Sequence, residues 1–119
     1  MSHEPIPIGV NRLVAQYKTV ARRGRYIAGE ADELAKLCDN LLSRLPPHRR
    51  IVAFTLMSLF ASISERFDEI VPNDAVGWAT LNTAVFAAVT YVAKGDAAPL
   101  DAIGIVDKLQ SVARSWLAG

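Results

Sequence analysis

Lys18, Arg22 and Arg25 recur at i, i+4 and i+7, the spacing that lines up side chains on one face of an α-helix. Arg12 and Arg23 lie beside them, and Tyr26 falls on the same side with a ring able to stack on a base or a partner. A basic stripe of this kind is the electrostatic footprint of phosphate contact. It is also what a solvated helix face looks like when it offsets acidic blocks elsewhere. No motif that reads nucleic-acid sequence accompanies it, which favours the solvated face.

A second cationic group, Arg44, His48, Arg49 and Arg50, surrounds the pair Pro46-Pro47. Arg49 and Arg50 fall in what reads as the opening turn of a helix, where the macrodipole is positive and each cation costs about 0.3–1 kcal/mol. A local rule broken without evident gain marks a candidate binding site for an anion or an acidic partner. Pairing within the chain, to Glu30, Asp32, Glu33 or Asp39, would relieve the same repulsion and is the favoured account.

Other chemistry finds little support. Cys38 is the single cysteine and sits in a leucine seam between Leu34 and Leu41, so it reads as a buried, inert thiol. The two histidines, His3 and His48, form no Glu-x-x-His pair. Glu65 and Glu69 are one turn apart but lack a matching donor set for a cation. There is no Gly-rich phosphate loop and no serine elbow. The expectation is therefore a non-enzymatic protein with no catalytic residues, no cofactor and no metal.

The elements that carry these residues are all helical. Ile51–Val71 is the stretch around which the chain is organised: Ala53, Leu56, Phe60, Ile63, Phe67 and Ile70 repeat at 3, 4, 3, 4, 3. Val52, Met57, Leu59 and Val71 widen that face, leaving Thr55, Ser58, Ser62, Glu65 and Glu69 as a polar strip. A helix so apolar must be covered on several sides, so it is expected as the central helix, about 48–71, of an antiparallel bundle of four to five helices.

Upstream, Leu13, Tyr17, Val20, Gly24, Ile27, Ala31, Leu34, Cys38, Leu41 and Leu45 keep a 4, 3 alternation. Gly24 and Gly29 each cost about 1 kcal/mol inside a helix, and acids crowd the start at Glu30. The unbroken register favours continuity, the glycines and acids a new start; a helix with a kink or short break between Gly24 and Gly29 is expected, with one long helix or two both open. Downstream, Ala75–Ala93 carries no charge over 19 residues, with Trp78, Leu81, Val85, Ala88 and Val92 as its seam. Asn73 is its expected N-cap and Gly95 its expected C-terminal stop. Pro99 opens a last helix with Ala102, Val106, Leu109, Ala113 and Trp116 facing inward.

The chain has 119 residues, 51% of them hydrophobic, and a net charge of +1. That suits one domain, 10–119, behind a proline-bearing N-terminal arm, 1–9. Charge is local: residues 1–29 sum to +4, 30–43 to −3, 44–50 to +3 and 51–74 to −3. With no secretion signal at the start and one cysteine, a cytoplasmic protein is expected. The mixed, Thr- and Ala-rich character of Ala75–Ala93 argues for a buried hairpin rather than a membrane span.

The functional expectation is a small helical interaction protein, an adaptor or inhibitor, that binds a protein partner through helix surfaces. Leu13, Tyr17, Val20 and Ile27 are the expected homodimer seam, because a long first helix would overhang the central one. The alternative is a nucleic-acid-binding accessory protein using Lys18, Arg22, Arg25, Arg44, Arg49 and Arg50, which requires the two cationic groups to converge. A membrane-associated hairpin of the central and following helices is the second alternative.

Overall fold

The computed structural model describes residues 8–27, 29–66, 75–94 and 98–117. Five helices are formed: α1 (Ile8–Arg23), α2 (Glu30–Leu41), α3 (Pro47–Glu65), α4 (Ala75–Ala93) and α5 (Pro99–Leu117), with a short 3-10 turn at Leu42–Arg44. No strand occurs among the described residues. The architecture is the all-α bundle that the periodicity demands.

Glycine divides the first 35 residues into two helices. Gly24 takes φ 84° and Gly29 φ 89°, left-handed values that side chains resist. A Cβ at either would meet nothing within 4 Å, so backbone conformation rather than space requires glycine there. The Gly24 amide closes α1 on the Val20 carbonyl at 2.9 Å. Glu30 then ties the two helices together. Its carboxylate takes Arg23 in a bidentate pair at 2.6 and 2.9 Å and accepts the Ile27 amide at 2.9 Å.

At the other end of α2, Leu45 is extended (ψ 148°), as a residue before proline should be, and Pro47 occupies the first turn of α3. The chain thus runs α1 down, α2 up and α3 down, with α4 and α5 continuing the alternation. α2 packs on α3, α1 on α2 and α4, and α5 on α3 and α4. Because α3 and α5 both run opposite to α4, they run in the same direction as each other.

The core sits between these layers. Leu13, Tyr17 and Val20 of α1, Leu34, Cys38 and Leu41 of α2, Val52, Leu56 and Phe60 of α3, and Leu81, Val85 and Val92 of α4 are all sealed within it. Tyr17 is its polar joint. Its ring lies 6.2 Å from Phe60 and 6.0 Å from Phe86, and its hydroxyl donates to Asn82 Oδ1 on α4. Burial pushes the phenols of Tyr17 and Tyr26 well above their ordinary range, which keeps both neutral.

Three expectations change on this fold. Leu13, Tyr17 and Val20 do not form an outward seam, because α1 folds back at Gly24 and its apolar face is covered by α2 and α4 of the same chain. Only Ile27 of that set reaches solvent. The arm is shorter than 1–9: Ile8 and Gly9 are helical, and Gly9 lies against Leu41. The central helix ends at Glu65 with Arg66 in its closing turn. Phe67, Ile70 and Val71, Glu69 as a cation ligand, and the caps at Asn73 and Gly95 lie outside the described residues, as do His3 and the side chains of Trp78 and Trp116.

Candidate functional site

The two cationic groups occupy opposite ends of α2. Arg22 and Arg25 belong to the α1–α2 turn, whereas Arg44, His48, Arg49 and Arg50 belong to the α2–α3 turn. α2 has 12 residues, which sets the two turns about 18 Å apart at 1.5 Å per residue. The two groups therefore do not form a single cluster.

Within the second group, the arginines are absorbed by helix ends. Arg49 is buried, and its guanidinium donates from Nε (3.0 Å) and Nη2 (2.5 Å) to the Val92 carbonyl in the last turn of α4. That carbonyl is one of the four that every helix leaves without an internal partner. The positive N-terminus of α3 and the negative C-terminus of α4 lie side by side, so a cation that is disfavoured by its own helix is favoured by the neighbour. Arg50 Nη2 likewise donates to the Leu45 carbonyl at 2.9 Å.

The expected pairing with acids is therefore corrected. Glu30 belongs to Arg23, Asp32 pairs with Lys36 at 3.0 Å, and Glu33 accepts from Gln16 at 3.1 Å. Arg49 and Arg50 bind backbone instead. His48 packs edge-on against Tyr91, with ring centroids 6.3 Å apart, and Arg44 is exposed. Lys18 and Arg22 on α1, and Arg25 in the connection that follows it, are exposed.

Cys38 is fully enclosed, and burial pushes its thiol up to about 12, so it is a poor nucleophile at neutral pH. Among the described residues, no three His, Cys, Asp or Glu side chains gather into a metal-binding group. No described helix is long and apolar enough to cross a membrane.

The surface that stands out is apolar. Ile51 and Phe54 on α3 are 51% and 52% exposed, and Leu100 and Ile103 on α5 are 82% and 71% exposed. A groove of about 370 Å³ runs between the two helices, lined by Ile51, Phe54, Ser58 and Ser62 on one side and Val106 and Ala113 on the other. Ile103 is one turn before Val106 on the same stripe. On the far flank of α5, a wider depression of about 770 Å³ is bordered by Phe86, Tyr91, Leu100 and Ile105. Sequence periodicity assigned α3 an apolar face, but it did not separate the residues covered by α2 and α4 from those left facing out. The available signal was the phase of Ile51 and Phe54, which share the polar strip of Thr55, Ser58 and Ser62.

What this face offers is exposed apolar surface beside a groove. The chain matches no protein-family model, no curated protein and no solved structure in the comparisons made with them.

Proposed function

We propose that this protein is a non-enzymatic helical interaction module whose working surface is the α3–α5 face, where it receives a protein partner. The observation that carries this reading is the exposure of Ile51, Phe54 and Ile103 on two adjacent helices. Single exposed hydrophobics need no explanation, but a cluster flanking a groove is the usual mark of a contact surface. Burying the exposed parts of these side chains, each a fraction of the roughly 1.5–3 kcal/mol that full burial is worth, contributes to a modest, specific contact after the costs of association. A cytoplasmic setting belongs to the same reading and rests on the single, enclosed Cys38. The nucleic-acid reading has less support, since Arg49 is buried against the Val92 carbonyl.

The test is a photo-crosslinking amino acid placed at Phe54 or Ile103 in cells, with exposed Asn40 on α2 as the control position. Protein adducts at 54 and 103 but not at 40 are expected. Adducts no more abundant at 54 and 103 than at 40 would sink the proposal.

A further inference from the structure

We infer that the occupant of the α3–α5 face is a second copy of this chain, laid antiparallel across it. The inference deepens the proposed function, since it rests on the same face being a protein contact. What points to a second copy is that the face is complementary to itself in both size and charge.

Consider size first. α3 and α5 run in the same direction, and along both the stripe lining the groove shrinks from large to small. On α3 it passes from exposed Ile51 and Phe54 to Ser58 and half-buried Ser62; on α5 it passes from exposed Ile103 through half-buried Val106 to half-buried Ala113. The face is a wedge, thick at one end and thin at the other. A two-fold axis lying in the face and crossing both helices places the thick end of each copy on the thin end of the other. α3 then packs on α3 and α5 on α5, each pair antiparallel.

Charge selects the same axis. Arg50 and Glu65 are exposed at the two ends of the α3 stripe, Arg50 one turn before Phe54 and Glu65 one turn after Ser62. Asp107 and Arg114 are exposed on α5, on the stripe Ile103, Asp107, Gln110, Arg114, which repeats at 4, 3, 4. An axis crossing α3 beside Ser58 sets Arg50 of one copy opposite Glu65 of the other, twice. An axis crossing α5 beside Gln110 does the same for Asp107 and Arg114. Ser58 and Gln110 line the same groove. A single axis therefore satisfies both pairs and puts a small residue, Ser58, where the α3 helices cross most closely. A parallel arrangement has no such match.

Two helices of 19 residues side by side offer a strip about 28 Å long and about 20 Å wide, the scale of a small interface rather than an obligate one. The dimer is accordingly reversible, with a dissociation constant on the order of micromolar.

The experiment is sedimentation equilibrium on the intact chain from about 0.1 to 100 µM, bracketing that constant, at about 100 mM salt. Wild type is expected to pass from monomer to dimer across this range. Arg50→Glu and Glu65→Arg each place like charges together at two points and should raise the dissociation constant about tenfold. Mixing the two variants should restore association, because the mixed dimer regains opposite charges at both points. Asp107→Arg and Arg114→Asp should repeat the pattern, and they keep the test intact if loss of the Arg50–Leu45 bond perturbs the α2–α3 turn. A wild type that is monomeric throughout, or a dimer indifferent to both charge pairs, would overturn the inference. A monomer that still crosslinks to other proteins through Phe54 would discard the second copy while leaving the proposed function in place.

Discussion

Arg49 and Ile51 are two residues apart on α3 and reverse the usual order of inside and outside. The arginine is 8% exposed and the isoleucine 51%. The side of α3 that faces α2 and α4 is closed, and it is closed tightly enough to hold a guanidinium against the Val92 carbonyl. The other side, toward α5 and solvent, leaves Ile51 and Phe54 uncovered. Residue type did not decide these positions. What decided them was the need of the neighbouring element: α4 ends with an open carbonyl that a cation can satisfy, while nothing in the described chain extends over the α3–α5 groove. A closed side tells how the fold is held, and an open side tells where it is unfinished.

The largest expected effect breaks the closed side. Leu13→Asp puts a carboxylate into a fully buried position with no cationic partner, at a cost of about 4 kcal/mol or more. That is a large share of the roughly 5–15 kcal/mol by which a domain of this size is stable. The variant should be largely unfolded by circular dichroism and by the loss of a cooperative urea transition. A folded Leu13→Asp monomer would mean that α1 leaves the core, and the closed side would then be misassigned.

Next comes the buried arginine. Arg49→Ala removes two hydrogen bonds and leaves the Val92 carbonyl enclosed without a donor, which should cost about 2–4 kcal/mol in urea unfolding. Arg22→Ala on the exposed face of α1 should stay within about 0.5 kcal/mol of wild type. Equal effects at the two sites would remove the distinction between a cation that caps a neighbouring helix and one that is solvated.

These residues also show how far the sequence could be read. The helical segments were legible because 3.5-residue periodicity, Pro47, Pro99 and the uncharged run Ala75–Ala93 are local signals that local structure obeys. Gly24 and Gly29 mark where the first stretch could kink or break, but the unbroken 4, 3 register left one helix or two undecided. That register survives because both arms of the hairpin face one core, so continuity of pattern does not require continuity of helix. Arg49 was marked as anomalous, but its partner was not legible. A backbone carbonyl 43 residues away has no side-chain signature, whereas Glu30 or Asp39 does, and attention went to the acids. For Leu13 and Val20 the pattern specified an apolar face and was silent on which chain covers it.

A smaller effect sharpens the α1–α2 end of the closed side. The hydrogen bond from Arg23 holds the Glu30 carboxyl below its ordinary value of 4.5, against the opposing pull of burial, with the Ile27 amide helping. The unfolded state therefore binds that proton more readily than the folded state. The pair's contribution is complete above about pH 4.5 and is lost as pH falls through the lower folded value. Glu30→Gln should flatten the acid limb of the stability profile between pH 5 and 3, the range around these values, and leave its shape near pH 7 unchanged. An unaltered acid limb would show that the α1–α2 turn is held by its two glycines and packing alone.

The last effect, small beside the loss of a core residue, tests the open side, and its dependence on concentration is the point. Phe54 is half exposed, so Phe54→Ser forfeits about half of the roughly 1.5–3 kcal/mol that full burial is worth, and its stability in thermal unfolding at about 0.1 µM should fall about 1 kcal/mol below wild type. At high concentration the two should diverge further. Anything that binds only the folded state stabilises it by mass action, so the melting temperature of a self-associating wild type climbs with protein concentration. The variant's melting temperature should stay level, because the thick end of the wedge has been removed. A residue whose loss removes the concentration dependence belongs to a contact outside the chain. A Phe54→Ser chain destabilised equally at every concentration would instead place Phe54 in the fold, and the α3–α5 groove would count with the closed side.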